Sequence, residues 1–100
     1  PKHIRKMTVA ADCQSLGDST VFAESSADYF DGFRLDTKDR VWSSARDGHH
    51  CFAPDGTLLG KIRLPEMAAN VCFGGASLNR LFIAGTTSIY SIYLAVNGLP

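Results

Sequence analysis

The chain has 100 residues, 45% of them hydrophobic and 20% charged, and ten basic residues balance ten acidic ones to a formal net charge of zero. That length suits one small domain with a real core. Neutrality removes the electrostatic reason to expect nucleic acid or an anionic membrane as a partner, and no apolar run is long enough to cross a bilayer.

The first residues, Pro1-Lys2-His3-Ile4-Arg5-Lys6, are basic, but no apolar segment follows, so no signal peptide is read and a cytoplasmic location is expected. The chain begins without Met, which leads us to expect a processed or truncated product. Residues 3–10 alternate loosely as a strand, 12–18 form a loop around Gly17, and 19–24 form a second strand around Val21 and Phe22. Asp31-Gly32 is then either a plain turn or a carboxylate aimed at something. Phe33 and Leu35, two apart, share one face of the next strand. Thr37-Lys38-Asp39-Arg40 is a polar turn, 41–45 a strand with the single Trp, Trp42, and Asp47-Gly48 another turn. Residues 49–53 make a strand, and Pro54-Asp55-Gly56-Thr57 a hairpin turn in which Gly supplies positive φ. Residues 58–64 make one more strand, which Pro65 stops. The best helical candidate, 65–70, is too short to matter. Val71 and Phe73 alternate before a Gly74-Gly75 break, and 80–84 and 88–94 complete the series.

The last part repeats the middle. Arg40-Val41-Trp42 matches Arg80-Leu81-Phe82 in character, and His50-Cys51-Phe52 matches Tyr90-Ser91-Ile92, each forty positions later. Phe33/Leu35 and Val71/Phe73 lie thirty-eight apart, so the turn between first and second strands differs by two residues. A period of about 40 residues with four strands marks a β-propeller blade, and a β-sandwich with hairpins of similar length shares the pattern. On the propeller reading, 1–100 is a C-terminal fragment of about two and a half four-stranded blades. Residues 1–28 end one blade, 29–66 form a full blade, and 67–100 form an incomplete last one. Propellers commonly close by letting an N-terminal strand complete the last blade, so the remainder of the ring lies outside this chain.

Cys13, Cys51 and Cys72 have no metal-knuckle spacing and are read as reduced thiols. In His49-His50-Cys51 only His49 and Cys51 share a face, so this is a packed strand before it is a metal cluster. Asp36, Asp39, Asp47 and Asp55 are read as solvated turn carboxylates. Ser43-Ser44 and the histidines lack a nucleophile elbow. Gly74-Gly75 has no Lys or Ser/Thr at phosphate-loop spacing. Arg34 points away from Phe33 and Leu35, as a surface residue or near a channel mouth. Asn70 precedes the Val71 strand, and either lines a channel to meet a substrate hydroxyl or bonds its own backbone.

Asp31-Gly32, Asp36, Trp42, Asp47-Gly48, Pro54-Asp55-Gly56-Thr57, Pro65-Glu66 and Phe73-Gly74-Gly75, in that order, resemble the C-terminal part of the SMP-30/gluconolactonase/luciferin-regenerating-like family. The resemblance covers nearly the whole chain. It implies an all-β, six-bladed propeller whose central tunnel holds a divalent metal, usually Ca2+ with Zn2+ or Mg2+ as alternatives, and which hydrolyses a sugar lactone. It implies that Asp31 both turns the chain and points into the tunnel, as metal ligand or general base. It also implies a Glu and an Asn ligand in blades upstream of this chain, so the site is complete only in the whole propeller. The alternatives are a non-catalytic structural piece, inactive alone, that joins its missing N-terminal part or self-associates, and a related propeller esterase or phosphotriesterase.

Overall fold

The computed structural model describes residues 2–27 and 30–100, so the expected blade junction at 28–29 lies outside the described residues. The described residues form nine strands: β1 His3–Val9, β2 Leu16–Glu24, β3 Phe30–Leu35, β4 Val41–Ala45, β5 Gly48–Phe52, β6 Leu58–Arg63, β7 Ala68–Gly74, β8 Arg80–Gly85 and β9 Ile89–Tyr93. They form antiparallel sheets in simple sequential order, β1-β2, β3-β4-β5-β6 and β7-β8-β9. The chain is therefore all-β, and the short helical candidate at 65–70 is instead the link into β7 and its first residues.

The forty-residue repeat reappears as register. Val41 pairs with Phe52 and Leu81 with Ile92, Trp42 with Cys51 and Phe82 with Ser91, Ser43 with His50 and Ile83 with Tyr90. Each pair in the second set lies forty positions beyond its counterpart in the first. The turns obey the sequence chemistry too. Gly56 takes φ 91° and Gly48 φ 135°, which side-chain-bearing residues rarely adopt. The Asp55 carboxylate accepts the Thr57 N–H at 2.9 Å, an Asx turn on an exposed tip.

Alternation along β4 and β5 divides the core into two layers. One layer holds Val41, Ala45, Phe52 and Phe30 with Ala23, and Ile4 and Phe22 of the β1-β2 sheet pack against it. The other holds Trp42 and Cys51 with Ala68, Val71, Leu81 and Ile83 of the third sheet. The four-stranded sheet is thus a wedge between two others. Its first strand, β3, lies beside β7, the first strand of the next sheet. Sequential four-stranded wedges whose first strands crowd together are the blades of a propeller, and this chain supplies part of one.

Two expectations fail on burial. Asp36 is not solvated: it is fully buried, at 0% exposure. Its carboxylate accepts the Trp42 indole N–H at 3.0 Å, the Arg40 Nε–H at 2.7 Å, and the Lys38 and Arg40 backbone N–H groups at 2.8 and 3.0 Å. Burial by itself would raise its pKa, but those donors, Trp42 foremost, outweigh it and hold the carboxyl below its ordinary value. Asp47 is half-buried, and it meets His50 Nε2 at 2.6 Å and Lys61 Nζ at 3.1 Å. A turn position predicts solvent only when nothing packs over it. Here the Trp42 ring and the β5 histidine cover the two carboxylates.

Candidate functional site at the first strands of two blades

Asp31-Gly32 does not turn the chain: both residues lie inside β3. Phe30 pairs with Ala45 and Phe33 with Ser43, so Asp31 and Gly32 together oppose the single residue Ser44. This is a β-bulge, which frees a strand segment from the ladder and re-aims its side chains. The Gly32 N–H donates to Ser44 Oγ at 2.8 Å. The Ser44 hydroxyl in turn donates to the Ala69 carbonyl, on β7 of the neighbouring sheet, at 3.1 Å.

β7 carries its own bulge at the corresponding level. Ala68 pairs with Gly85 and Asn70 with Ala84, so Ala69 is the extra residue. Asn70 is therefore inside β7 rather than ahead of the strand. Gly32 sits against it: a Cβ built on Gly32 would lie 2.7 Å from Asn70 Cγ and 3.1 Å from its Cα, with Oδ1 nearer still. A side chain at 32 would crowd the Asn70 amide and press on its Cα. The fold thus brings Asp31 and Asn70, thirty-nine residues apart, onto adjacent first strands at one level.

The two side chains differ in state. Asp31 is exposed, and no hydrogen bond or ion pair of its carboxylate occurs among the described residues. Asn70 is exposed as well, and its Oδ1 accepts the Val71 N–H at 2.8 Å, the self-bonding alternative realised in part. Arg34 reaches the same region, lining with Asn70, Cys72 and Phe82 a cavity of about 340 Å3. Its Nη1 donates to the Phe33 carbonyl at 2.7 Å.

Carboxylate and amide oxygens suit a hard cation such as Ca2+, which takes about six to eight oxygen ligands. The exposed Asp31 carboxylate fits part of such a shell, whereas the Asn70 oxygen is taken by the Val71 N–H. Among the described residues no group of three or more His, Cys, Asp or Glu side chains is placed to hold a metal.

His49 and Cys51 do share a face, lining with Trp42 and Arg40 a crevice of about 320 Å3 between the second and third sheets. Burial drives His49 down to about 4, with neighbouring His50 adding to the shift and the Gly48 backbone opposing it. Burial, helped by the Asp36 charge and countered by Arg40, drives the Cys51 thiol up to about 11. A thiol held that high is a packing group, not a nucleophile. Ser44 is the residue that sequence reasoning missed. Its alternation with Ser43 told which face it takes, but nothing local told that the facing strand would offer a carbonyl.

A protein-family model described as the SMP-30/Gluconolactonase/LRE-like region matches residues 1–87. No curated protein matches. Among solved structures, one described provisionally as a gluconolactonase is 29% identical with a TM-score of 0.86, over 99% of this chain and 34% of that one. A gluconolactonase from Xanthomonas campestris, described as important in glucose secondary metabolic pathways, is 33% identical with a TM-score of 0.72, over 85% of this chain and 27% of its own. A luciferin-regenerating enzyme, at 17% identity and a TM-score of 0.86 over 98% of this chain and 40% of that one, shares the fold. The chain spans about a third of the length of these structures. A family match over most of the chain, and a repeat whose register follows that fold, place it: the chain belongs to the SMP-30/gluconolactonase/LRE-like family.

Proposed function

We propose that this chain is part of a metal-dependent hydrolase of sugar lactones and contributes Asp31 to its catalytic centre. The observation that carries the reading is the β3 bulge: in a chain of this family it leaves the Asp31 carboxylate exposed on a first strand, without a partner among the described residues, beside the Asn70 amide on β7. Family membership supports the reaction class. The oxygen donors support a divalent cation, Ca2+ before Zn2+ or Mg2+.

Asp31 would hold the cation, with the remaining ligands coming from blades outside this chain. When bound, the cation supplies Lewis acidity toward the lactone carbonyl and lowers the pKa of an adjacent water. The work of Asp31 is to place its carboxylate at that centre and to accept the proton of the attacking water as general base. The water oxygen bonds to the carbonyl carbon, the ring C–O bond breaks, and the ring oxygen leaves as a hydroxyl carrying the proton. The Asn70 amide Nδ2 is left to meet a substrate hydroxyl, since Oδ1 is engaged by Val71.

The test is lactone hydrolysis and calcium titration on the full-length protein that carries this chain. Asp31→Asn is expected to lower kcat by about 10²–10⁴-fold, the usual worth of a positioned acid–base group. Unchanged hydrolysis in a folded Asp31→Asn variant refutes the assignment.

A further inference from the structure

We infer that Ser44 is a positioning residue that fixes the Asp31 carboxylate relative to Asn70. This rests on the metal-dependent reading above. Ser44 is fully buried, at 0% exposure, and touches no solvent that could replace its bonds. Its one hydroxyl spans two blades, accepting from Gly32 N–H at 2.8 Å and donating to Ala69 C=O at 3.1 Å. Both partners belong to bulges, where the ladder bond that would normally hold the backbone is missing. Gly32 directly follows Asp31, and Ala69 directly precedes Asn70. One side chain therefore holds the residue next to Asp31 and the residue next to Asn70, and sets the distance between two strands that share no ladder.

Groups that orient a ligand-bearing side chain without touching the ligand matter to metal binding nearly as much as the ligands, and losing one typically costs about 10–100-fold in affinity. Ser43 supplies the control. It is equally buried, one residue away on the opposite face of β4, and its hydroxyl donates to the Ser44 carbonyl at 3.3 Å without reaching β3 or β7.

The experiment compares Ser44→Ala, Ser44→Cys and Ser43→Ala in the full-length protein, at a temperature where circular dichroism shows each one folded. Calcium titration, lactone kinetics and hydrogen exchange at the Gly32 amide are read together. Ser44→Ala is expected to weaken calcium binding at least about 10-fold, to lower kcat more than it raises KM, and to speed exchange at Gly32. Ser43→Ala is expected to keep wild-type calcium affinity. Should Ser44→Ala not fold, Ser44→Cys, whose thiol bonds weakly, is expected to show an intermediate loss of affinity. The inference is overturned if the folded Ser44 variants bind calcium as the wild type does, if Ser43→Ala loses as much affinity as Ser44→Ala, or if Gly32 exchange does not change. Wild-type protein that binds no calcium overturns the metal-dependent reading itself, and this inference with it. That failure is recognised by a silent wild-type titration beside a Gly32 amide that Ser44 still protects.

Discussion

Asp36 and Arg40 show how one residue type is set by what faces it. Arg40 closes on the buried Asp36 carboxylate. Its repeat partner Arg80 has Gly74 in the place of the carboxylate, and lies instead over the rings of Phe82 and Tyr93, at 5.0 and 5.1 Å from their centroids, with Ser91 accepting its hydrogen bonds. Asp36→Ala strands the Trp42 indole N–H and a partly exposed Arg40, and is expected to cost about 3 kcal/mol, toward the low end for breaking a buried pair. Urea unfolding midpoints of the full-length protein check this. Because the folded pKa of Asp36 lies below its ordinary 3.8, its stabilisation is present above pH 3.8 and is lost as pH falls through the folded value. His49 acts earlier in an acid titration. Its folded pKa of about 4 is below the ordinary 6.5, so between these values the unfolded chain takes up a proton that the fold refuses. Stability should fall by up to about 2 kcal/mol from pH 7 to pH 5, by proton linkage. Equilibrium unfolding at the two pH values measures it, and His49→Leu should flatten the dependence.

At the scale of the strand, the repeat was legible because alternation and turn chemistry are local. Trp42 and Phe82, or Gly48 and Gly56, reveal themselves to anyone counting residues. The bulges were not legible. Asp31-Gly32 reads as a turn in sequence, and it is a bulge because Ser44 and Asn70, from two other strands, complete its hydrogen bonding and its packing. The glycine at 32 is needed for proximity. Gly32→Ala would drive a methyl group toward the Asn70 Cα at 3.1 Å, which a rotamer change cannot relieve. We expect a loss of about 1–3 kcal/mol, as for other overpacked sites, together with weaker calcium binding. Unfolding curves and calcium titration of the variant give both numbers. The connection into β7 shows a similar clamp, where the Glu66 carboxylate accepts from Thr87 Oγ1 at 2.7 Å and from the Thr87 and Ser88 N–H groups at 3.1 and 3.2 Å, tying the start of one hairpin to the tip of another.

At the scale of the molecule, both outer sheets present apolar side chains to solvent: Val9 and Leu16 on one, Ile89 at 79% and Tyr93 at 68% exposure on the other. In a ring such faces are buried between blades. This chain taken alone is expected to self-associate through them, and sedimentation across a concentration series tests that. It is also expected to bind calcium far more weakly than the full-length protein. Tight one-to-one binding by the isolated chain would show that the ligands from other blades are not needed.

The sequence by itself determined the strands, their turns, the forty-residue spacing and the resemblance to a family, because each depends on residues that are neighbours along the chain. Only the tertiary structure decided that Asp36 is buried, that Asp31-Gly32 is a bulge and that Ser44 joins two blades. Burial and the pairing of bulged backbone depend on what the facing sheet offers across the gap, and no local pattern encodes that.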